Sequence, residues 1–280
     1  MSQSLIKAIH SSRRGERRPL VMGIINVTPD SFSDGGHFDS PERALGHALA
    51  LVEQGADILD VGGESTRPGA EPVSAQQEMD RIVPVIERIV AETDTPISID
   101  TVKAEVMREA LSVGAGMIND VKGLRGEGVI EVAAGTAVPV CIMHMQGEPR
   151  TMQKNPEYHD VVEDIKSFFE ERLAACEAAG VDVDRVVLDP GFGFGKRLEH
   201  NLALLRRFEE FKVSGWPVLA GISRKSMLGQ ITGRERADER VAASISAALL
   251  VAQKGAAILR VHDVAETVDA LKVWEAVKAS

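Results

Sequence analysis

Apolar residues in this chain fall into short, mostly unbroken runs, separated by stretches in which they recur every three or four positions. The runs are Leu20–Ile25, Ile58–Val61, Ile97–Ile99, Gly116–Ile118, Val138–Met143, Val186–Leu188, Val218–Ile222 and Ala257–Val261. A run with no polar alternation indicates a strand buried on both faces, as in a parallel sheet. The stretches between them read as helices. Across 160–179, Val161, Val162, Ile165, Phe168, Phe169, Leu173 and Cys176 share one face, and Gly180 stops the pattern. Ser40 before Pro41 reads as an N-cap with proline at the first helical position, and Gly55 ends that helix. Pro84 is expected to kink the next helix. Asp263 and Glu266 have capping-box spacing ahead of a last helix that reaches about Lys278.

Eight runs in 280 residues leave about 35 residues for each strand and its crossover helix. The expected fold is one (β/α)8 TIM barrel spanning 1–280, with 1–18 as an N-terminal extension, close to the roughly 250 residues usual for that architecture. A doubly wound sheet fits less well, because no GxGxxG follows the first run and no linker opens a second domain.

Composition narrows the picture. Aromatic residues are only 4% of the chain, so branched aliphatics must fill the interior, as they do in barrel cores. A net charge of −10 argues against a general nucleic-acid binder, which needs clustered cations. It leaves room for a small anionic substrate held by a few local cations. Cys141 and Cys176 lie in apolar stretches without CxxC spacing and read as reduced, buried thiols. The N-terminus has no apolar core of the signal-peptide kind, and no apolar run is long enough to cross a membrane. A cytoplasmic location is expected.

In such a barrel the chemistry sits at the C-terminal ends of the strands, and polar residues stand there after every run. Asn26 follows the first, Glu64-Ser65-Thr66-Arg67 the second, Asp100 the third and Asn119-Asp120 the fourth. His144 follows the fifth, Asp189 the sixth and Ser223-Arg224-Lys225-Ser226 the seventh, while the eighth carries Arg260 and precedes His262. One such residue could be a structural cap. Eight in succession point to a single polar ring. Asp100, Asn119, Asp189 and Lys225 can match the donors and acceptors of a flat heterocycle, a carboxylate taking two parallel N–H bonds. Arg67, Arg260 and His262 suit a phosphate or diphosphate. Thr28–Gly36 and Gly62–Gly69 are long beside the usual connections of about 4–6 residues and read as binding loops ordered by ligand. Gly191-Phe192-Gly193-Phe194-Gly195-Lys196 fails the Walker spacing and suggests close backbone approach to a flat ligand. Ser226 is expected in the first turn of a helix, as a carboxylate contact or a plain N-cap.

The stretches GIINVTPDSFSDGG, DVGGESTRPGA, SIDT, IND, MHMQG, LDPGFGFGK, GISRKS and RVHDV follow one another from about residue 20 to 265. Together they resemble the dihydropteroate synthases of folate biosynthesis, a pterin-binding TIM-barrel family. The resemblance implies transfer of 6-hydroxymethyl-7,8-dihydropterin from its diphosphate to the amine of 4-aminobenzoate, giving 7,8-dihydropteroate and diphosphate with Mg2+ required. By motif position it assigns the pterin to Asp100, Asn119, Asp189 and Lys225, with Met143 and Gly221 beside it. The diphosphate falls to Asn26, Thr66, Arg67, Arg260 and His262, Asn26 also reaching the metal. The aminobenzoate falls to Thr66, Pro68, Phe194 and Ser226, closed over by Phe32. Asp100, Lys225 and Arg260 are the implied catalytic groups. A homodimer blocked by sulfonamides is implied as well.

No nucleophile–base pair stands among the strand ends. An aromatic amine needs none once the carbon it attacks is cationic, so the expected order is SN1-like: diphosphate leaves first, stabilised by cations, while Asp100 supports the developing pterin charge. Two rivals remain. A methyltetrahydrofolate methyltransferase would share the pterin carboxylates but has no use for a diphosphate site. A non-catalytic pterin-binding paralogue would show degenerate loops, and here both are intact.

Overall fold

The computed structural model describes residues 2–28, 40–65, 71–148, 151–212 and 215–279. Among these, eight strands form one sheet: β1 Leu20–Asn26, β2 Ile58–Gly62, β3 Ile97–Asp100, β4 Met117–Asp120, β5 Val140–Met143, β6 Val186–Asp189, β7 Leu219–Ala220 and β8 Ile258–Val261. Neighbours pair in parallel in the order β6-β5-β4-β3-β2-β1-β8-β7. A single bridge, Leu188 to Val218, joins the two ends. The result is the (β/α)8 barrel expected from the apolar runs. The runs at 138–143 and 218–222 are longer than the strands they contain, Val140–Met143 and Leu219–Ala220. At the other end four strands extend into their polar termini, because Asn26 registers with Gly62, Gly62 with Asp100, Asp100 with Asn119, and Met143 with Asp189.

Alternation along each strand divides the core into two layers. Val21, Ile25, Leu59, Val61, Ile99, Ile118, Ile142, Leu188, Ala220 and Val261 point outward and pack with the helices. The other parity points inward. Leu20, Met22, Ile58, Met117, Cys141, Val187, Leu219 and Ile258 make an apolar plug at the N-terminal end of the barrel. Residues 2–13, within the segment expected as an extension, are instead the helix Ser2–Arg13, whose Leu5 and Ile9 cap that plug. Among the described residues the barrel bottom is therefore closed, which leaves the C-terminal mouth for ligand.

The helices follow their signals with two differences. Asp160 caps the helix Val161–Ala178 by accepting from the N–H groups of Val162 and Glu163, and Gly55 takes the left-handed turn at φ 97° after Ser40–Glu53. The helix Ala75–Glu92 runs on through Pro84, opened by a Ser74–Gln77 capping box that sequence reading passed over. Asp263 is the other difference: its carboxylate engages the Arg224 guanidinium ahead of the helix Val264–Ala279. No described helix is long and apolar enough to cross a membrane.

Candidate active site

The inward parity that builds the plug continues into the mouth, and this selects the site. Two or four residues beyond Met22, Ile58, Met117, Cys141, Val187, Leu219 and Ile258 come Asn26, Asp60, Asn119, Met143, Asp189, Gly221, Arg260 and His262; in β3, Ser98 and Asp100 share that parity. The opposite parity removes two members of the ring expected from sequence. Asp120 and His144 continue the outward faces of Ile118 and Ile142 and leave the mouth. Asp120 accepts from the N–H groups of Lys122 (2.7 Å) and Leu124 (2.9 Å), fixing the turn after β4. Burial nonetheless raises its carboxyl to about 6. His144 is buried edge-on against Phe168 and beside the Lys196 ammonium, and burial lowers its ring to about 2, so it is neutral framework.

At the floor of the mouth, Arg260 Nε donates to Asp60 Oδ2 at 2.6 Å and Nη2 to Asp100 Oδ2 at 2.8 Å. Asp60, with no exposed surface, also accepts from Asn119 Nδ2 at 3.3 and 3.4 Å. The acidic and cationic halves expected as separate subsites thus touch, with Arg260 bridging two carboxylates. Burial pushes Asp100 up to about 7 against the attraction of Arg260, with Asp60 adding repulsion. Burial acts to lower Arg260, but the carboxylates of Asp60 and Asp100 outweigh it and hold the guanidinium above its usual range. Asp189 is also raised by burial, opposed by Lys225 and by the Gly191 N–H at 2.7 Å. Burial lowers Lys225 to about 8 while Asp189 opposes the shift. Asp100, Asp189 and Lys225 are thus easier to neutralise than in water while Arg260 stays firmly charged, so a ligand bringing matched donors and charge is strongly selected.

Lys225 donates to the Phe192 carbonyl, and its Nζ lies 4.5 Å from the centre of the Phe194 ring. These partners belong to 191–196, where all the carbonyls from 191 to 195 are held. Lys196 Nζ takes those of Gly191 (2.9 Å) and Phe194 (3.0 Å), Gln153 that of Gly193, and Tyr158 that of Gly195. Gly191 sits at φ 67°, where an added Cβ would lie 2.0 Å from the His144 carbonyl oxygen. Only glycine fits that position. Phe192 is thereby turned into the core, and Phe194 stays partly exposed at the mouth. The loop is a rigid platform, consistent with approach to a flat ligand.

Ser226 is the exposed first residue of the helix Ser226–Thr232, whose N-cap is Lys225; the plain N-cap reading of the serine does not hold. Ser223 Oγ accepts the His262 N–H at 3.2 Å and lies 3.0 Å from His262 Nδ1. At the foot of the second long loop Lys103 binds Glu64 and the buried Glu78, and Arg81 donates to the Gly63 carbonyl at 2.7 Å. Phe32, Thr66, Arg67 and Pro68 lie outside the described residues. The structure brings together Asn26, Asp100, Asn119, Met143, Asp189, Gly221, Lys225, Arg260 and His262, with Phe194 and Ser226 at the rim. Sequence reading missed Asp60 and Lys196. A carboxylate inside the apolar run Ile58–Val61 was the available signal for Asp60.

A closed-bottom barrel whose mouth sets carboxylates and an amide beside a bound guanidinium and a desolvated lysine is the frame of a pterin-binding barrel enzyme. The family model described as pterin binding enzyme matches residues 22–262. A dihydropteroate synthase of Haemophilus influenzae is 52% identical over 92% of this chain and 94% of its own. The dihydropteroate synthase of Xanthomonas albilineans with 4-aminobenzoic acid superposes with a TM-score of 0.90 at 55% identity, covering 94% of each chain. The same enzyme in complex with 7,8-dihydropteroate gives a TM-score of 0.87 at 52% identity over 94% of this chain and 95% of that one. This chain belongs to the dihydropteroate synthase family.

Proposed function

We propose that the barrel mouth joins 6-hydroxymethyl-7,8-dihydropterin diphosphate to 4-aminobenzoate, releasing 7,8-dihydropteroate and diphosphate. The observation that carries the proposal is Arg260 held between Asp60 and Asp100, beside Asn119, Asp189 and Lys225, in a family whose Xanthomonas member is seen with aminobenzoate and with dihydropteroate. Asp100, Asn119 and Asp189 receive the pterin ring edge, Lys225 donates to it, and Met143 and Gly221 leave it a flat slot. A Cβ added at Gly221 would meet Arg260, 3.8 Å from its Cβ. Arg260 turns from Asp100 to the diphosphate, with His262, Asn26, Thr66 and Arg67. Phe194, Thr66, Pro68, Ser226 and Phe32 surround the aminobenzoate, where sulfonamides compete.

The step is a substitution at the pterin methylene carbon. The C–O bond to diphosphate breaks, the C–N bond to the arylamine forms, and the amine's proton passes to solvent. Breaking C–O first fits the site: the carboxylates of Asp100 and Asp189 stabilise a pterin-centred cation, while Arg260 and His262 take the departing charge. Among the described residues no three His, Cys, Asp or Glu side chains are grouped for a metal. Asn26 offers one amide oxygen at the inner face of β1, a hard donor that fits Mg2+ if diphosphate and water complete the shell. Bound there, Mg2+ supplies further charge stabilisation to the leaving group.

A homodimer is also proposed. Leu202, Ile231 and Leu250 are exposed apolar residues on the mutually packed helices Leu198–Arg206, Ser226–Thr232 and Val241–Gln253, the kind of patch a subunit contact covers. Sedimentation analysis with Leu250→Glu tests it, the dimer being expected to weaken. For the reaction, diphosphate release from the pterin diphosphate is measured with and without 4-aminobenzoate, and with Mg2+ removed by chelation and restored. Release that yields dihydropteroate only when amine and Mg2+ are both present is expected. Positional isotope exchange in the pterin diphosphate supports the SN1-like order, and strict dependence of C–O cleavage on the amine contradicts it.

A further inference from the structure

Arg224 stands between two site residues and is held in an unusual way. Its backbone takes φ 58°, a left-handed conformation that a side chain with a Cβ rarely adopts. Its backbone and its guanidinium are both engaged. Its N–H donates to Ser244 Oγ at 2.8 Å, and its carbonyl accepts from Arg240 Nη1 at 2.9 Å. Its guanidinium forks onto the buried carboxylate of Asp263, Nε at 3.1 Å and Nη2 at 2.5 Å.

The residue before it makes a parallel tie: Ser223 Oγ meets the backbone and the ring of His262. Ser223-Arg224 is thus clasped to His262-Asp263, strapping the turn after β7 to the turn after β8. The next residue along, Lys225, is the N-cap of the helix that begins at Ser226 and makes no side-chain cap bond of its own. Within the turn the Lys225 N–H donates to the Ile222 carbonyl at 3.2 Å and its carbonyl accepts from the Leu228 N–H at 3.0 Å, while the clasp fixes this turn relative to the end of β8. A flexible turn at this point would let Lys225 and Ser226 drift relative to Arg260 and His262. Reacting groups misplaced by about 1 Å can lose roughly a hundredfold in rate.

We propose that Arg224 is a positioning residue, its ion pair with Asp263 holding a strained turn that aims Lys225 and Ser226 into the mouth in register with Arg260 and His262. Arg224 matters in this way only if Lys225 and His262 serve as proposed above. It touches no substrate.

The test compares Arg224→Gly, Asp263→Asn and the double variant, with Lys225→Ala as reference. Glycine adopts φ 58° without strain, so Arg224→Gly keeps the turn accessible while removing the clasp. Asp263→Asn keeps Arg224 in place and removes the ion pair, which preserves the test should the glycine variant fold poorly. For each single variant a kcat/KM roughly tenfold to a hundredfold below wild type is expected, with KM for 4-aminobenzoate raised and the melting temperature little changed. The double variant is expected to be no worse than either single one, because the two residues act as one unit.

A purely structural clasp would leave the ionisation of Lys225 untouched, so the pH–rate profile supplies a separate readout. Lys225 is faced by Asp189 and Asp100, by the Arg260 guanidinium and by the buried Lys196 amine, whose own pKa burial lowers. Loosening the turn admits water and moves its pKa back toward the ordinary lysine value, shifting the alkaline limb upward. Wild-type kcat/KM in Arg224→Gly, additive losses in the double variant, or an unmoved alkaline limb would each overturn the proposal. If Lys225→Ala is itself as active as wild type, it is the site assignment that has failed. If Lys225→Ala is crippled while Arg224→Gly is not, the clasp alone has failed.

Discussion

Replacing Asp60 with asparagine keeps the side-chain volume and removes one buried negative charge. Its effect can be worked out from the structure. Asp60 accepts from Arg260 Nε at 2.6 Å and from Asn119 Nδ2 at 3.3 Å, with no surface exposed to water. An amide oxygen can still accept one of these bonds, but without the charge. A hydrogen bond to a charged group is worth about 1.5–3 kcal/mol. At about 1.4 kcal/mol per decade, Asp60→Asn should therefore lower kcat/KM by roughly tenfold to 150-fold.

The pH dependence gives a second, independent sign. Asp100 is raised to about 7 mainly by burial, with the Asp60 charge pushing the same way and Arg260 opposing. Removing Asp60 takes away repulsion and leaves Arg260 to Asp100, and both changes lower the Asp100 pKa. The acid limb of kcat/KM, set by ionisation of Asp100, should move to lower pH even though activity at the optimum falls. Diphosphate release across pH 5–9, with both substrates varied, measures both effects. A limb that stays still or moves up, or activity within twofold of wild type, would refute the reasoning.

Three other perturbations separate function from fold. Asp100→Asn should raise the melting temperature at pH 8: a carboxyl raised on folding contributes stability below its unfolded pKa that is lost as pH climbs through about 7. In thermal melts the gap between variant and wild type should close toward pH 4. Gly191→Ala should destabilise the chain by more than about 2 kcal/mol and weaken aminobenzoate binding, because φ 67° and a 2.0 Å approach to the His144 carbonyl both exclude a Cβ; denaturant unfolding and a KM measurement check it. Ile9→Ala, in the helix that caps the closed end of the barrel, should cost about 2–5 kcal/mol and leave kcat unchanged, since the plug lies away from the mouth.

The barrel was legible because its strands are buried on both faces, so each writes a short, largely apolar run. The site was legible because those runs end in polar residues. What the runs conceal is parity. A continuous apolar strand gives no alternation from which to tell inward from outward, so Asp120 and His144 read as members of the ring alongside Asn119 and Met143. Only the register, which places Met117 and Cys141 in the plug, shows that their neighbours face the helices. Asp60 was hidden for the related reason that a lone carboxylate within Ile58–Val61 does not break an apolar pattern. The contact between the acidic and cationic halves was hidden for a different cause. Arg260 reaches across the barrel to β2 and β3, a contact between residues 200 and 160 positions apart that no local pattern encodes.

The proposed reaction needs one pocket in which Arg260 trades a protein carboxylate for the substrate's diphosphate. A crystal structure with pterin diphosphate and Mg2+ bound tests this most directly. It should show the Arg260 guanidinium released from Asp100 and on the diphosphate, Asp60 still holding Nε, and the ring edge on Asp100, Asn119, Asp189 and Lys225. A pterin seated outside the barrel mouth, or Arg260 still bonded to Asp100 with diphosphate bound elsewhere, would contradict it.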